Sequence, residues 1–136
     1  MFSTLLALKA LIVGTFAIVA VLLYTTASLG RRNKEFSEKS DLYTNAVNFH
    51  KRFAEYTIWF TIVAVLLTET MVRLQGGFQQ KEFLAVHLCF SIPFLLIILT
   101  LRFWQTGLKN KSLHTFLAYA CIMFFIMTLI TGGVLI

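Results

Sequence analysis

The sequence predicts an all-α integral membrane protein, a four-helix bundle threaded up-down-up-down. Four apolar runs, Leu5 to Leu23, Phe53 to Val72, Phe83 to Leu101 and Leu113 to Ile136, fill most of the 136 residues. Each run, coiled as a helix, crosses the ~30 Å hydrocarbon layer. The chain is 58% hydrophobic and 13% charged, with a single proline, a balance foreign to a soluble domain of this length. The expectation is one transmembrane domain over residues 1–136, with spans near 5–28, 53–72, 83–104 and 113–135.

The first run starts at once, has no basic segment before it and exceeds the usual ~7–15 apolar residues of a signal peptide, so it is read as a retained span despite the small residues Thr25 to Ser28. Ala7, Ala10, Gly14 and Ala17 form a small-residue stripe on it that would let a neighbouring helix approach closely. Gly30 is a natural helix stop, with Arg31 and Arg32 suited to the negative end of the helix dipole. The second helix is expected to start at Ser40 or Asp41, both good N-caps. Leu42, Ala46, Phe49 and Phe53 then recur at helical spacing, so it should enter the membrane unbroken. Gly76-Gly77 reads as a tight turn, Pro93 as a kink that frees the carbonyl of Cys89, and Trp104 as an interfacial marker.

Crossing four times places Arg31, Arg32, Lys34, Lys39, Lys51, Arg52, Arg102, Lys109 and Lys111 on one side, nine of the twelve basic residues, against Lys9, Arg73 and Lys81. By the positive-inside rule that side is cytoplasmic and both termini lie outside, as expected for a bacterial inner-membrane protein. The net charge of +6 is thus explained by topology and anionic lipid, and no nucleic-acid partner is implied. Cys89 and Cys121 fall inside spans and provide no disulfide framework.

The three histidines carry the functional reading. Helices two and four run parallel, which puts His50 and His114 at similar depth near the cytoplasmic surface. At 100° per residue the face of His50 continues through Ala54, Thr57, Thr61, Ala64 and Thr68, and that of His114 through Ala118, Cys121, Phe125, Thr128 and Gly132. Two facing imidazoles above columns of mainly small residues suit a planar macrocycle: the histidines ligate iron axially and the small side chains leave room for the ring. The same columns also serve ordinary helix packing. His87, one to two turns below the outer surface, is a third cofactor-binding candidate, needing another ligand type, a neighbouring subunit or a five-coordinate site.

Other constellations point to structure. His87 and Cys89 face nearly opposite ways on one helix and cannot share a metal. Met123 and Met127 face away from His114 and suit packing. Glu69 and Arg73 are spaced for an i,i+4 ion pair, and Glu55 is expected to pair with Arg52 or Lys51. No hydrolase triad, phosphate loop, zinc-protease motif or dinucleotide fingerprint occurs, so the sequence offers no hydrolytic or transferase motif, leaves enzyme activity open and points at most to an electron-transfer protein.

With His50-Lys51-Arg52 opening one helix, His87 inside the next and Lys111-Ser112-Leu113-His114 opening the last, residues Asn48 to Gly133 resemble two groups of small four-helix membrane proteins. One is the family that includes a membrane factor needed to mature haem-copper oxidases. The other is the set of transmembrane b-type cytochromes, to which the Thr131-Gly132 ending is also similar. The maturation-factor family usually carries a further histidine near the outer end of the second span, where this chain has Glu69 and Arg73. Three histidines also fall one short of the four ligands of a dihaem cytochrome. Together the residues and the resemblance imply a protein binding one haem b, with His50 and His114 as axial ligands to the haem iron, serving electron transfer or the assembly of a respiratory complex. The alternative is a cofactor-free accessory or assembly subunit that docks on a larger membrane complex. Expected partners are membrane lipids and a larger membrane-protein complex or further copies of the chain.

Overall fold

The computed structural model describes residues 2–32, 40–77, 82, 84–103 and 110–135. These form α1 (Phe2–Arg32), α2 (Asp41–Leu74), α3 (Leu84–Phe103) and α4 (Lys111–Leu135), and no strand occurs among the described residues. All four helices are long and apolar enough to cross a membrane. Trp104, Phe83, Lys34, Lys39, Lys81 and Lys109, which figure in the sequence reading, lie outside the described residues.

In lipid every backbone polar group needs an internal partner, and the helix ends show how these sequences provide it. Ser40, extended at φ −90 and ψ 147, caps α2 by accepting the Tyr43 N–H at 3.1 Å. The opposite end of α2 closes in a Schellman motif: Gly76 N–H reaches the Arg73 carbonyl at 3.1 Å and Gly77 N–H the Val72 carbonyl at 2.9 Å. That motif requires a left-handed residue after the cap, and Gly76 supplies it at φ +77. Asn110 starts α4 by accepting the Leu113 N–H on its side chain at 3.0 Å. Within the spans, Thr15, Thr57, Thr61, Thr68 and Thr128 each donate their hydroxyl to the carbonyl four residues earlier. Each polar side chain is thereby satisfied on its own helix.

The bundle is two hairpins. α1 lies along α2 and α3 along α4, while the hairpins approach each other through α2 with α3 and α1 with α4 at few points. Ile12, Thr15 and Val19 form the buried stripe of α1, and Thr57, Thr61 and Ala64 that of α2. Val19, Phe94, Ile98, Cys121 and Phe125 make the central cluster that joins the hairpins, with the Phe94 and Phe125 ring centres 5.3 Å apart. Because lipid tails are as apolar as these side chains, the cluster holds by close van der Waals packing and not by exclusion from water.

Two sequence expectations change here. The stripe Ala7, Ala10, Gly14 and Ala17 is exposed, and α1 buries the bulkier Ile12 and Val19 instead. Gly30 does not stop α1, which continues through Arg32. Its lack of a side chain serves the site described next.

Candidate functional site

The basic end of the bundle is defined by the C-terminus of α1, the N-terminal turns of α2, the C-terminus of α3 and the start of α4. There the structure brings together the two histidines that helical counting placed at one depth. The His50 and His114 ring centres are 6.0 Å apart, with their planes inclined at 66°. Two imidazoles that bind one metal ion from opposite sides, each nitrogen about 2 Å from it, hold their ring centres about 6 Å apart.

His50 is fixed by α1. Its Nδ1 lies 2.9 Å from the Thr26 carbonyl oxygen. A carbonyl can only accept, so Nδ1 carries the proton and Nε2 keeps its lone pair. A backbone carbonyl on the far nitrogen is the usual way a metal-ligating histidine is oriented and made more basic. Gly30 makes room for the ring: a Cβ there would lie 3.2 Å from His50 Cε1. His114 is set by the Asn110 cap, whose carbonyl also accepts the His114 N–H at 3.0 Å.

His87 sits in a similar seat at the other end of the bundle. Its Nδ1 is 3.0 Å from Thr131 Oγ1, and a Cβ on Gly132 would lie 3.2 Å from its Cε1. The Thr131 hydroxyl donates to the Met127 carbonyl at 2.8 Å, so it accepts from His87 Nδ1–H. His87 is therefore kept apart from the other two histidines and tied to α4. Among the described residues no three histidine, cysteine or acidic side chains gather into a metal site.

The columns below the paired histidines are occupied. Thr57 and Thr61 are 1% and 3% exposed and belong to the seam of α2 with α1, on the face that turns His50 toward Thr26. Cys121 and Phe125 belong to the central cluster, and Gly132 receives His87. Periodicity located these faces, and helix packing fills them. These side chains pack within the bundle, so the ligand argument rests on the imidazole pair itself.

Three features of the site were missed in the sequence. Gly30 read as a stop, although an isolated glycine followed by the helix formers Arg31 and Arg32 is also the pattern of a packing contact. The Thr26 carbonyl has no signature in a side-chain sequence. Glu55 was expected to pair along its own helix, yet it forms an ion pair with Arg102 at the last turn of α3. Lys51 lies on the N-terminal side of Glu55, the weaker orientation for an i,i+4 pair, and Arg102 offers a longer reach from the negative end of a helix. The outer pair Glu69–Arg73 forms as expected, at 2.8 Å.

No protein-family model, curated protein or solved structure matches this chain.

Proposed function

We propose that this chain is a haem b-binding membrane protein that serves electron transfer or the assembly of a respiratory complex, with His50 and His114 as the axial ligands of one iron. The observation that carries the reading is the imidazole pair at 6.0 Å. The Thr26 carbonyl supports it, because a histidine held through Nδ1 offers Nε2 to a metal. Bound there, a haem would supply one-electron exchange. The protein's own contribution is to orient the two imidazoles, His50 through the Thr26 carbonyl. We place the site's end of the bundle, rich in lysine and arginine, on the cytoplasmic face of a bacterial inner membrane with both termini outside, a placement the positive-inside rule supports.

The test is an absorption spectrum of the detergent-purified protein, oxidised and dithionite-reduced. A low-spin b-type spectrum is expected. His50→Ala and His114→Ala should each abolish it, and His87→Ala should leave most of it in place. Full haem retention in both single variants, or a parental protein that takes up no haem, would overturn the reading and leave the cofactor-free docking subunit as the better account.

A further inference from the structure

We propose that Glu55 and Arg102 form a clasp between the two hairpins that positions His50 and His114 at ligand spacing, an inference that rests on reading that pair as haem ligands. The ion pair links α2 to α3 and so joins one hairpin to the other. The imidazole pair spans the same divide, since His50 belongs to the first hairpin and His114 to the second.

The order of contacts along α2 shows what the clasp does. Ile58 packs against the central apolar cluster, Glu55 meets Arg102 one turn nearer the basic end, and His50 faces His114 about 7 Å farther on by helical rise. The clasp therefore lies between the part of the interface that packing fixes and the part where two nitrogens must reach one metal. Apolar packing between Val19, Phe94, Ile98 and Phe125 is non-directional and tolerates small rotations of one hairpin against the other. A charge-assisted hydrogen bond is directional and tolerates them poorly. The hairpins touch at few points elsewhere, so a rotation about the central cluster would be felt most at the ends of the bundle.

The local setting favours a pair that holds. The Arg102 and Glu55 side chains are 38% and 45% exposed in the bare protein. They sit one to two turns inside the histidines, toward the hydrocarbon, where screening is weaker than at a water-exposed surface. The Arg102 guanidinium also lies 5.9 Å from the centre of the Phe103 ring, which restricts it further. Glu55 and Arg102 act on the imidazoles through the helices that carry them, so their role is positioning.

The experiment compares Glu55→Gln, Arg102→Gln and the charge-swapped double variant Glu55→Arg/Arg102→Glu in the full chain. The first readout is the spectrum of the haem-loaded protein. Each single variant should lose low-spin signal to a high-spin form while both histidines remain, and the swap should recover it. The second readout needs no haem: spin labels on Asn48→Cys and Ser112→Cys, with Cys89 and Cys121 replaced by alanine, report the distance between the hairpins at the basic end. The parent should give one narrow distribution, the single variants a broader or shifted one, and the swap a return toward the parent. Unchanged distances in the single variants, or a swap that behaves like the singles in both readouts, would overturn the clasp. If the parent binds no haem, the haem reading falls, and the distances still decide whether the clasp exists.

Discussion

The two hairpins seat a histidine in nearly the same way and at opposite ends. In the first, His50 of α2 lies over Gly30 of α1 and donates Nδ1–H to the Thr26 backbone. In the second, His87 of α3 lies over Gly132 of α4 and donates Nδ1–H to the Thr131 side chain. What differs is the surroundings of the ring beyond its seat. His50 meets the imidazole of His114 across the hairpin boundary, whereas the described contacts of His87 stay within its own hairpin. A histidine over a glycine is thus how both hairpins pack a flat polar ring between two helices. The second imidazole, and not the seat, makes one of them a ligand candidate.

The largest effect that would alter this comparison is topological. A reporter fused after Ile136 should behave as extracytoplasmic and one inserted near Ser37 as cytoplasmic, because nine of the twelve basic residues fall on the His50 side. The opposite pattern would turn the imidazole pair outward and exchange the compartments of the two seats.

Next in size is the loss of either glycine. Gly30→Val and Gly132→Val each push a side chain into a ring that already lies 3.2 Å from where a Cβ would be. Overpacking of this kind costs about 1–3 kcal/mol, to be read from unfolding in detergent micelles. Stability should fall in both variants and haem binding in the first alone. An equal loss of haem in the two would mean that His87 shares the cofactor site.

How far the sequence discloses this arrangement depends on the kind of contact. Spans, caps and the Gly76-Gly77 turn are local, so hydropathy, Ser40 and the glycine pair disclose them directly. The meeting of His50 with His114 is long-range, yet parallel helices of known register make depth calculable from the span ends. What covers a helical face is not calculable in this way. Thr57 and Thr61 lie on the expected face, but periodicity cannot distinguish a ring edge from α1. The stripe of Ala7 and Gly14 turned outward for the same reason: small residues permit close approach without compelling it, and Ile12 and Val19 offered more surface to pack. Glu55 chose a partner on another helix, which no spacing rule within one helix can reveal.

A smaller effect separates the two hydrogen bonds that hold the rings. Thr131→Val keeps the shape of the side chain and removes the acceptor of His87 Nδ1–H. Side-chain hydrogen bonds between membrane helices contribute about 0.6 kcal/mol on average, so a loss near that size is expected in the same unfolding measurement. The seat of His50 should resist the equivalent change, Thr26→Val, because its acceptor is a backbone oxygen that no side-chain substitution removes. A larger loss at Thr26 than at Thr131 would show that the Thr26 hydroxyl, which is buried without a partner in the described structure, takes part in the site.

The smallest effect concerns the ion pair that stays within one helix. Glu69 and Arg73 stand one turn apart on α2, with a 2.8 Å contact, and their side chains are 53% and 78% exposed. They lie near the turn end of the helix, and both belong to the same rigid element, so breaking the pair releases no hairpin. Pairs of this spacing contribute about 0.3–0.5 kcal/mol when exposed. Glu69→Gln should therefore lower stability by no more than about that amount, leave the spin-label distances at the basic end unchanged and leave any haem spectrum intact. Glu55→Gln removes the same charge from the same helix fourteen residues earlier, where the partner belongs to the other hairpin. If the two substitutions behave alike in the distance measurement, reach across the hairpins is not what gives Glu55 its effect. If they differ as expected, the difference isolates what an ion pair does when it connects two rigid bodies from what it does when it decorates one.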